Sequence, residues 1–160
     1  MKTERPYWTE KRLDEMTPAE WEALCDGCAL CCLYKLQDDE IGAVGYTDVV
    51  CRYLNLKKCR CKIYGDRARL MPTCVVLTPT SVAALAWMPK TCAYRLLAEG
   101  KDLPYWHPLI SGDPDMVHRL GISVRGKAIS EKFVNMDHLE DHLAPDLLLD
   151  MNPPENPQAT

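Results

Sequence analysis

The chain has 160 residues, 47% hydrophobic and 26% charged, with a net charge of −4. That size and balance exclude general disorder and leave room for one core, so a single domain is expected over residues 1–145, followed by an acidic, Pro-rich tail at 146–160. The acidity sets aside a broad nucleic-acid footprint, and the nine cysteines, an odd number, cannot all pair within one chain as a disulfide scaffold would require.

The first ten residues lack the apolar stretch of a secretory signal, and no window nears the roughly 20 apolar residues that cross a bilayer. A cytoplasmic chain is expected, with thiols kept reduced unless a metal holds them. Residues 1–15 read as a polar arm fixed by Tyr7 and Trp8. Thr17-Pro18-Ala19-Glu20 is a helix start, with Thr as cap, Pro in the first turn and Glu three residues after the cap. That helix carries Trp21 and Leu24 on one face and leads into Cys25. Residues 25–74 hold eight of the nine cysteines, few long apolar runs and several turn signals, so they predict loops and short strands tied by ligands rather than a core of their own.

Beyond residue 78, Thr80 or Ser81 predicts a helix cap for 82–86, stopped by Pro89. Residues 91–99 predict a second helix, ended by Gly100. Residues 103–115 read as a Pro-rich loop carrying Tyr105 and Trp106. Residues 122–125 alternate as a strand, Gly126 marks a turn, and 128–130 are placed to pair back. A short helix is expected near 137–143. The fold class is therefore α+β: a small, loop-rich, mostly helical domain organised around a cysteine-ligated metal site, with short strands or a hairpin near the C-terminal third.

The chemistry lies in Cys25-x-x-Cys28-x-x-Cys31-Cys32. A Cys-x-x-Cys turn converges two thiolates on one ion, and the same step brings Cys31 within reach. Cys31 and Cys32 are neighbours whose side chains diverge, so one addresses the first centre while the other faces a second centre or the core. Cys51, Cys59, Cys61, Cys74 and Cys92 follow; Cys59 and Cys61 share a face of any extended segment. Nine thiols suffice for two four-ligand sites with one over, or for one site with several structural cysteines. Lys57, Lys58, Arg60, Lys62, Arg67 and Arg69 stand against Asp66 alone in residues 57–69; such cations offset the negative charge of a thiolate centre, with a solvated basic face as the plain alternative and a nucleic-acid patch, which the rest of the chain gives little help, as a third. Zinc favours paired Cys-x-x-Cys or Cys/His sets, whereas three cysteines each three apart are the ligation run of iron–sulfur proteins, here without its usual following proline.

With Cys61-Lys62-Ile63-Tyr64, Arg67 and Cys74 downstream, the run resembles a bacterial zinc- or iron-chelating cysteine-cluster (YkgJ-like) family. Segments 13–16, 91–104 and 106–109 resemble its YcgN-type proteins most closely, and the likeness covers about residues 6–143. It implies a metal-binding fold in a cytoplasmic bacterial protein and supplies no substrate.

His107, between Trp106 and Pro108, is a candidate ligand or base against a packed loop histidine. His138 and His142 share a helical face without the Glu of a zinc-protease motif, and His118 is ordinary. Tyr64, Tyr94, Trp87 and Trp106 read mostly as core, and Arg67 and Arg95 as partners of thiolates or carboxylates, or as surface groups. No phosphate loop, nucleophile elbow or dinucleotide fingerprint is present. Three functions remain: a structural metal beside a surface for a protein or small-molecule partner, an iron-dependent redox or catalytic centre, and metal storage or delivery.

Overall fold

The computed structural model describes residues 4–85 and 87–145. Ala86 and the tail at 146–160 lie outside the described residues. The arm forms a short helix, α1 (Tyr7–Glu10), and a 3-10 turn at Leu13–Glu15. It is held by Tyr7, whose hydroxyl donates to the Glu20 carbonyl at 3.0 Å, and by Trp8, whose indole donates to Asp102 at 3.2 Å. Helix α2 (Pro18–Glu22) starts as its sequence dictates. The Thr17 side chain accepts from the Glu20 amide, and the Glu20 side chain returns to the Thr17 amide, a reciprocal capping box.

The fold is α+β, with its sheet in the first third of the chain. Strands β1 (Leu33–Gln37) and β2 (Val44–Val50) pair antiparallel, with Leu33 opposite Val50 and Lys35 opposite Tyr46. A two-residue strand in the C-terminal third, Ile129–Ser130, adds to β2 in parallel, so β2 is central. A second, smaller pair joins β3 (Leu54–Asn55) to β4 (Arg60–Cys61), with Leu54 opposite Cys61. Residues 122–125 form no strand; Val124 instead donates its amide to the Cys28 carbonyl at 3.0 Å. The strand at 129–130 therefore pairs with β2 rather than folding back locally.

Helix α3 (Arg67–Leu70) follows β4. Expected helix 82–86 is only a 3-10 turn, Val82–Ala84, within the described residues. The second expected helix is present as α4 (Ala93–Ala98), with Gly100 at φ +75°, a conformation only glycine adopts without strain. The Pro-rich loop is partly helical, because Pro108 suits a first helical position: α5 spans Pro108–Ser111 and α6 Met116–Arg119. Residues 136–142 form a 3-10 segment.

Residues 25–74 contribute more core than their short apolar runs predict. Leu30, Leu33, Tyr46, Val50 and Leu54 are buried together with Trp106, Val117 and Val124. A second cluster gathers Leu24, Val82, Ala93, Tyr94 and Leu103 beneath α2 and the arm. Leu24 and Cys28 are four residues apart yet belong to different clusters, so the start of the cysteine run bridges the two cores.

Candidate metal centre

A cavity of about 370 Å³ touches both clusters: Leu33 and Leu54 line it from one side, Trp21 and Tyr94 from the other. Six of the nine candidate cysteines form part of its wall: Cys25, Cys31, Cys32, Cys51, Cys61 and Cys74. Cys28 and Cys59 are buried in the larger core, and Cys92 is half-buried against the smaller one. All nine are free thiols.

Local structure explains each placement. Gly27, at φ +80°, turns the chain between Cys25 and Cys28, and the Asp26 carboxylate fixes that turn by accepting the Cys28 amide at 3.0 Å. Asp26 is itself buried and accepts from the Trp106 indole at 3.4 Å. Ala29 sits at φ +59°, a left-handed conformation that costs an alanine about 1 kcal/mol, so the run holds a shape its sequence does not prefer. The 3-10 turn Leu30–Cys32 then presents Cys31 and Cys32. The Cys51 amide donates to the Cys32 carbonyl at 3.3 Å, and the Lys62 amide to Tyr53 at 2.8 Å, which bring Cys51 and Cys61 to the same wall. Cys74 closes a turn from Met71 at 2.9 Å.

Among the described residues, no three His, Cys, Asp or Glu side chains are gathered closely enough to hold an ion as placed. The thiols surround a volume rather than meet at a point. The donor chemistry, six thiols on one wall, is that of a soft metal.

Electrostatics strengthens that fit. Desolvation pushes the Cys25 thiol up to about 11, helped by Cys31 and Asp26, and raises Cys28 further above its ordinary value. Cys31 and Cys32 share a hydrogen bond that lowers Cys31 and raises Cys32, so the pair ionises through Cys31 first. Burial also raises Cys51 and Cys74, and takes Cys92 to about 12. A thiol-rich site under this desolvation favours ionised sulfur only when a cation compensates it.

One such cation is built in. The Lys35 ammonium donates to the carbonyls of Cys31 at 3.0 Å and Leu33 at 2.7 Å. It lies 4.5 Å from the centroid of the Trp87 ring and 5.1 Å from that of Tyr46. Burial lowers its pKa, while the sulfurs of Cys31, Cys32 and Cys74 pull it back up. A desolvated ammonium facing thiols calls for an anionic occupant, and a metal bound by several thiolates is one. Arg67 stands on the same wall, 3.9 Å above the Tyr64 ring, and lowers the Cys74 thiol. Lys35 had no sequence signal beyond its closeness to Cys32. Most of the other cations of residues 57–69 lie off this wall.

His107 is not placed as a ligand. It is fully buried; its Nδ1 accepts from the Leu109 amide at 3.0 Å, which leaves Nε2 to donate to the Leu24 carbonyl at 2.8 Å. Nδ1 thus caps α5, and Nε2 ties that cap to Leu24, just beyond α2. His142 pairs with Asp48 at 3.0 Å, and His118 with Ser123 at 2.7 Å. Trp106 and Tyr94 are core, as expected; Tyr94 also lines the cavity, together with Tyr64 and Trp87. Arg95 is paired with Glu99 at 2.8 Å.

Residues 24–93 match the family described as "CxxCxxCC: Putative zinc- or iron-chelating domain". The chain is 55% identical over 141 residues to a UPF0260 protein of Allorhizobium ampelinum, covering 88% of this chain and 89% of that relative. It is 56% identical over 139 residues to a UPF0260 protein of Gluconacetobacter diazotrophicus, covering 87% and 86%. A UPF0260 protein of Azotobacter vinelandii is 54% identical over 138 residues, covering 86% and 93%. No solved structure matches the chain.

Proposed function

From the premise that the chain belongs to the UPF0260 family, and from the likeness of residues 24–93 to the family described as "CxxCxxCC: Putative zinc- or iron-chelating domain", we propose that it binds zinc or iron through thiolates on its cavity wall. The metal is structural there, and it shapes a surface for a protein or small-molecule partner. The observation that carries this reading is the half-buried Lys35 ammonium, held by the Cys31 and Leu33 carbonyls on a wall with six thiols. The thiol ligands would be drawn from Cys25, Cys31, Cys32, Cys51, Cys61 and Cys74 on the cavity side, with Cys28 and Cys92 outside that wall. A bound zinc would cross-link these loops; an iron or iron–sulfur centre would in addition supply one-electron chemistry.

The chain's own residues prepare the place. Asp26 and Gly27 set the first turn, Lys35 fixes the Cys31–Leu33 carbonyls and offsets negative charge, and Arg67 does the same near Cys74. Trp21, Tyr53, Tyr64, Trp87 and Tyr94 line the remaining space, an apolar wall on which a partner group could stack. That open space also favours the second reading, a redox or catalytic iron centre with a ligand beside it. The cytoplasm, where unpaired thiols persist, is the compartment this chemistry fits. No helix among the described residues is long and apolar enough to cross a membrane. The segments at 91–104 and 106–109 support placement in the YkgJ-like, YcgN-type branch.

Anaerobic purification followed by absorption spectroscopy and elemental analysis tests the reading. Stoichiometric zinc without colour supports the structural centre. Visible charge-transfer bands with iron support the redox reading, and metal content that varies while the fold stays constant supports storage or delivery. Folded protein empty of metal overturns the proposal.

A further inference from the structure

The segment that supplies one side of the cavity wall has a second, basic face. Asn55 fixes the turn between β3 and β4 by accepting the amides of Lys57 and Lys58, both at 3.0 Å, and Cys59 anchors that turn in the larger core. Lys57 and Lys58 are left exposed at its tip. Beyond it the chain alternates: Cys61 and Ile63 line the cavity, while Arg60 and Lys62 are exposed. Among the described residues these four cations form no ion pair, whereas Arg69 is tied to Asp66 at 3.4 Å.

The cavity reaches the surface along the same stretch. Tyr64 and Val75 belong to its wall and are 49% and 47% exposed. Leu70 and Val76, chain neighbours of the wall residues Met71 and Val75, are exposed as well. An apolar edge thus borders the basic face, and a face that only meets water has no use for such an edge.

Charge and chemistry choose the occupant. Residues 57–69 hold six cations against Asp66 in a chain of net charge −4, so this stretch attracts an anion that the remainder of the chain repels. That favours a short acidic segment over a long polyanion. Nor is Tyr64 a free platform for a nucleic-acid base: Arg67 covers one ring face at 3.9 Å, and the hydroxyl donates to Glu22. The aliphatic edge matches an apolar side chain instead.

Resting on the partner half of the proposed function, the geometry points to the β3–β4 turn and the adjoining cavity mouth as the docking site of an acidic segment from a partner protein. Its carboxylates pair with Lys57, Lys58, Arg60 and Lys62, and one apolar side chain packs at the Tyr64–Val75 edge.

Fluorescence anisotropy of the full chain, purified anaerobically with its metal content measured on the same sample, tests this. The probe is a labelled glutamate-rich peptide with one central leucine. A glutamine version, a version with serine for leucine and an oligouridylate of equal length serve as comparisons. The glutamate peptide is expected to bind, more weakly as salt rises. Lys57→Glu/Lys58→Glu and Arg60→Glu/Lys62→Glu should each weaken it about tenfold or more, with fold and metal content unchanged. Loss of the leucine should weaken it several-fold. Absence of binding, equal binding of the glutamine peptide, or an oligouridylate held as tightly overturns the docking site and leaves metal binding standing. A folded chain without metal that still binds the peptide through these cations overturns the metal reading alone. Should a variant fail to fold, the salt dependence and the glutamine comparison on the wild type decide.

Discussion

The core beneath the β1–β2 hairpin and the cavity beside it share residues of the segment 25–74 and obey different rules. In the core, Leu33, Val50 and Trp106 fill their space, and two buried polar side chains there have partners: His107 spends both ring nitrogens, and Asp26 accepts from Cys28 and Trp106. In the cavity, six thiols, a desolvated lysine and a ring of aromatic side chains surround about 370 Å³. One region closes on its own side chains; the other is organised for an occupant. Cys28 and Cys31, three residues apart, fall on opposite sides of that divide.

The contrast breaks most visibly at Trp106. Trp106→Ala should cost about 3–5 kcal/mol whether or not metal is bound, since it empties the core rather than the cavity. Equal melting of variant and wild type in denaturant would remove the distinction. Next comes His107→Ala, expected to lose about 2 kcal/mol by stranding the Leu24 carbonyl and uncapping α5, with metal content per folded chain unchanged. Loss of metal from a folded His107→Ala protein would make that residue a ligand after all. Cys28→Ser, which buries a hydroxyl in the larger core, should cost about 1–3 kcal/mol and more than Cys92→Ser in thermal melts.

Smaller effects sharpen the cavity side. Lys35→Met should leave metal-free stability nearly unchanged, because it removes a desolvated charge, yet speed metal loss to a chelator by about tenfold. Unaltered retention would mean that the occupant is not anionic. The smallest effect lies far from the metal. Hydrogen bonds from Lys11 and Thr17 hold the Glu20 carboxyl below its ordinary value. The stability it contributes is therefore present above the ordinary carboxylate pKa and fades as pH falls through the lowered one. Glu20→Gln should flatten the melting curve's decline between about pH 5 and pH 3, in a protein matched for metal content.

The local devices were legible in the sequence. Thr17, Pro18 and Glu20 spell a helix start, Gly100 ends α4, and the cysteine spacing points to a metal. The hairpin was not, because Leu33, Tyr46 and Val50 find their partners in Trp106, Val117 and Val124, far along the chain, where periodicity carries no information. The apparent poverty of residues 25–74 was an effect of reading that segment alone. Residues 122–125 alternate like a strand, but Val124 is used to anchor Cys28. The thiols were visible as a group, whereas the aromatic wall and the role of Lys35 depend on Trp87 and Tyr46 meeting across the fold.

X-ray absorption at the metal edge of the anaerobically purified chain addresses the central claim most directly, since it reports which atoms surround the bound metal. Cavity thiolates as ligands predict a first shell made of sulfur, at about 2.3 Å for zinc. A first shell of nitrogen and oxygen, with the cysteines still free, would contradict the account.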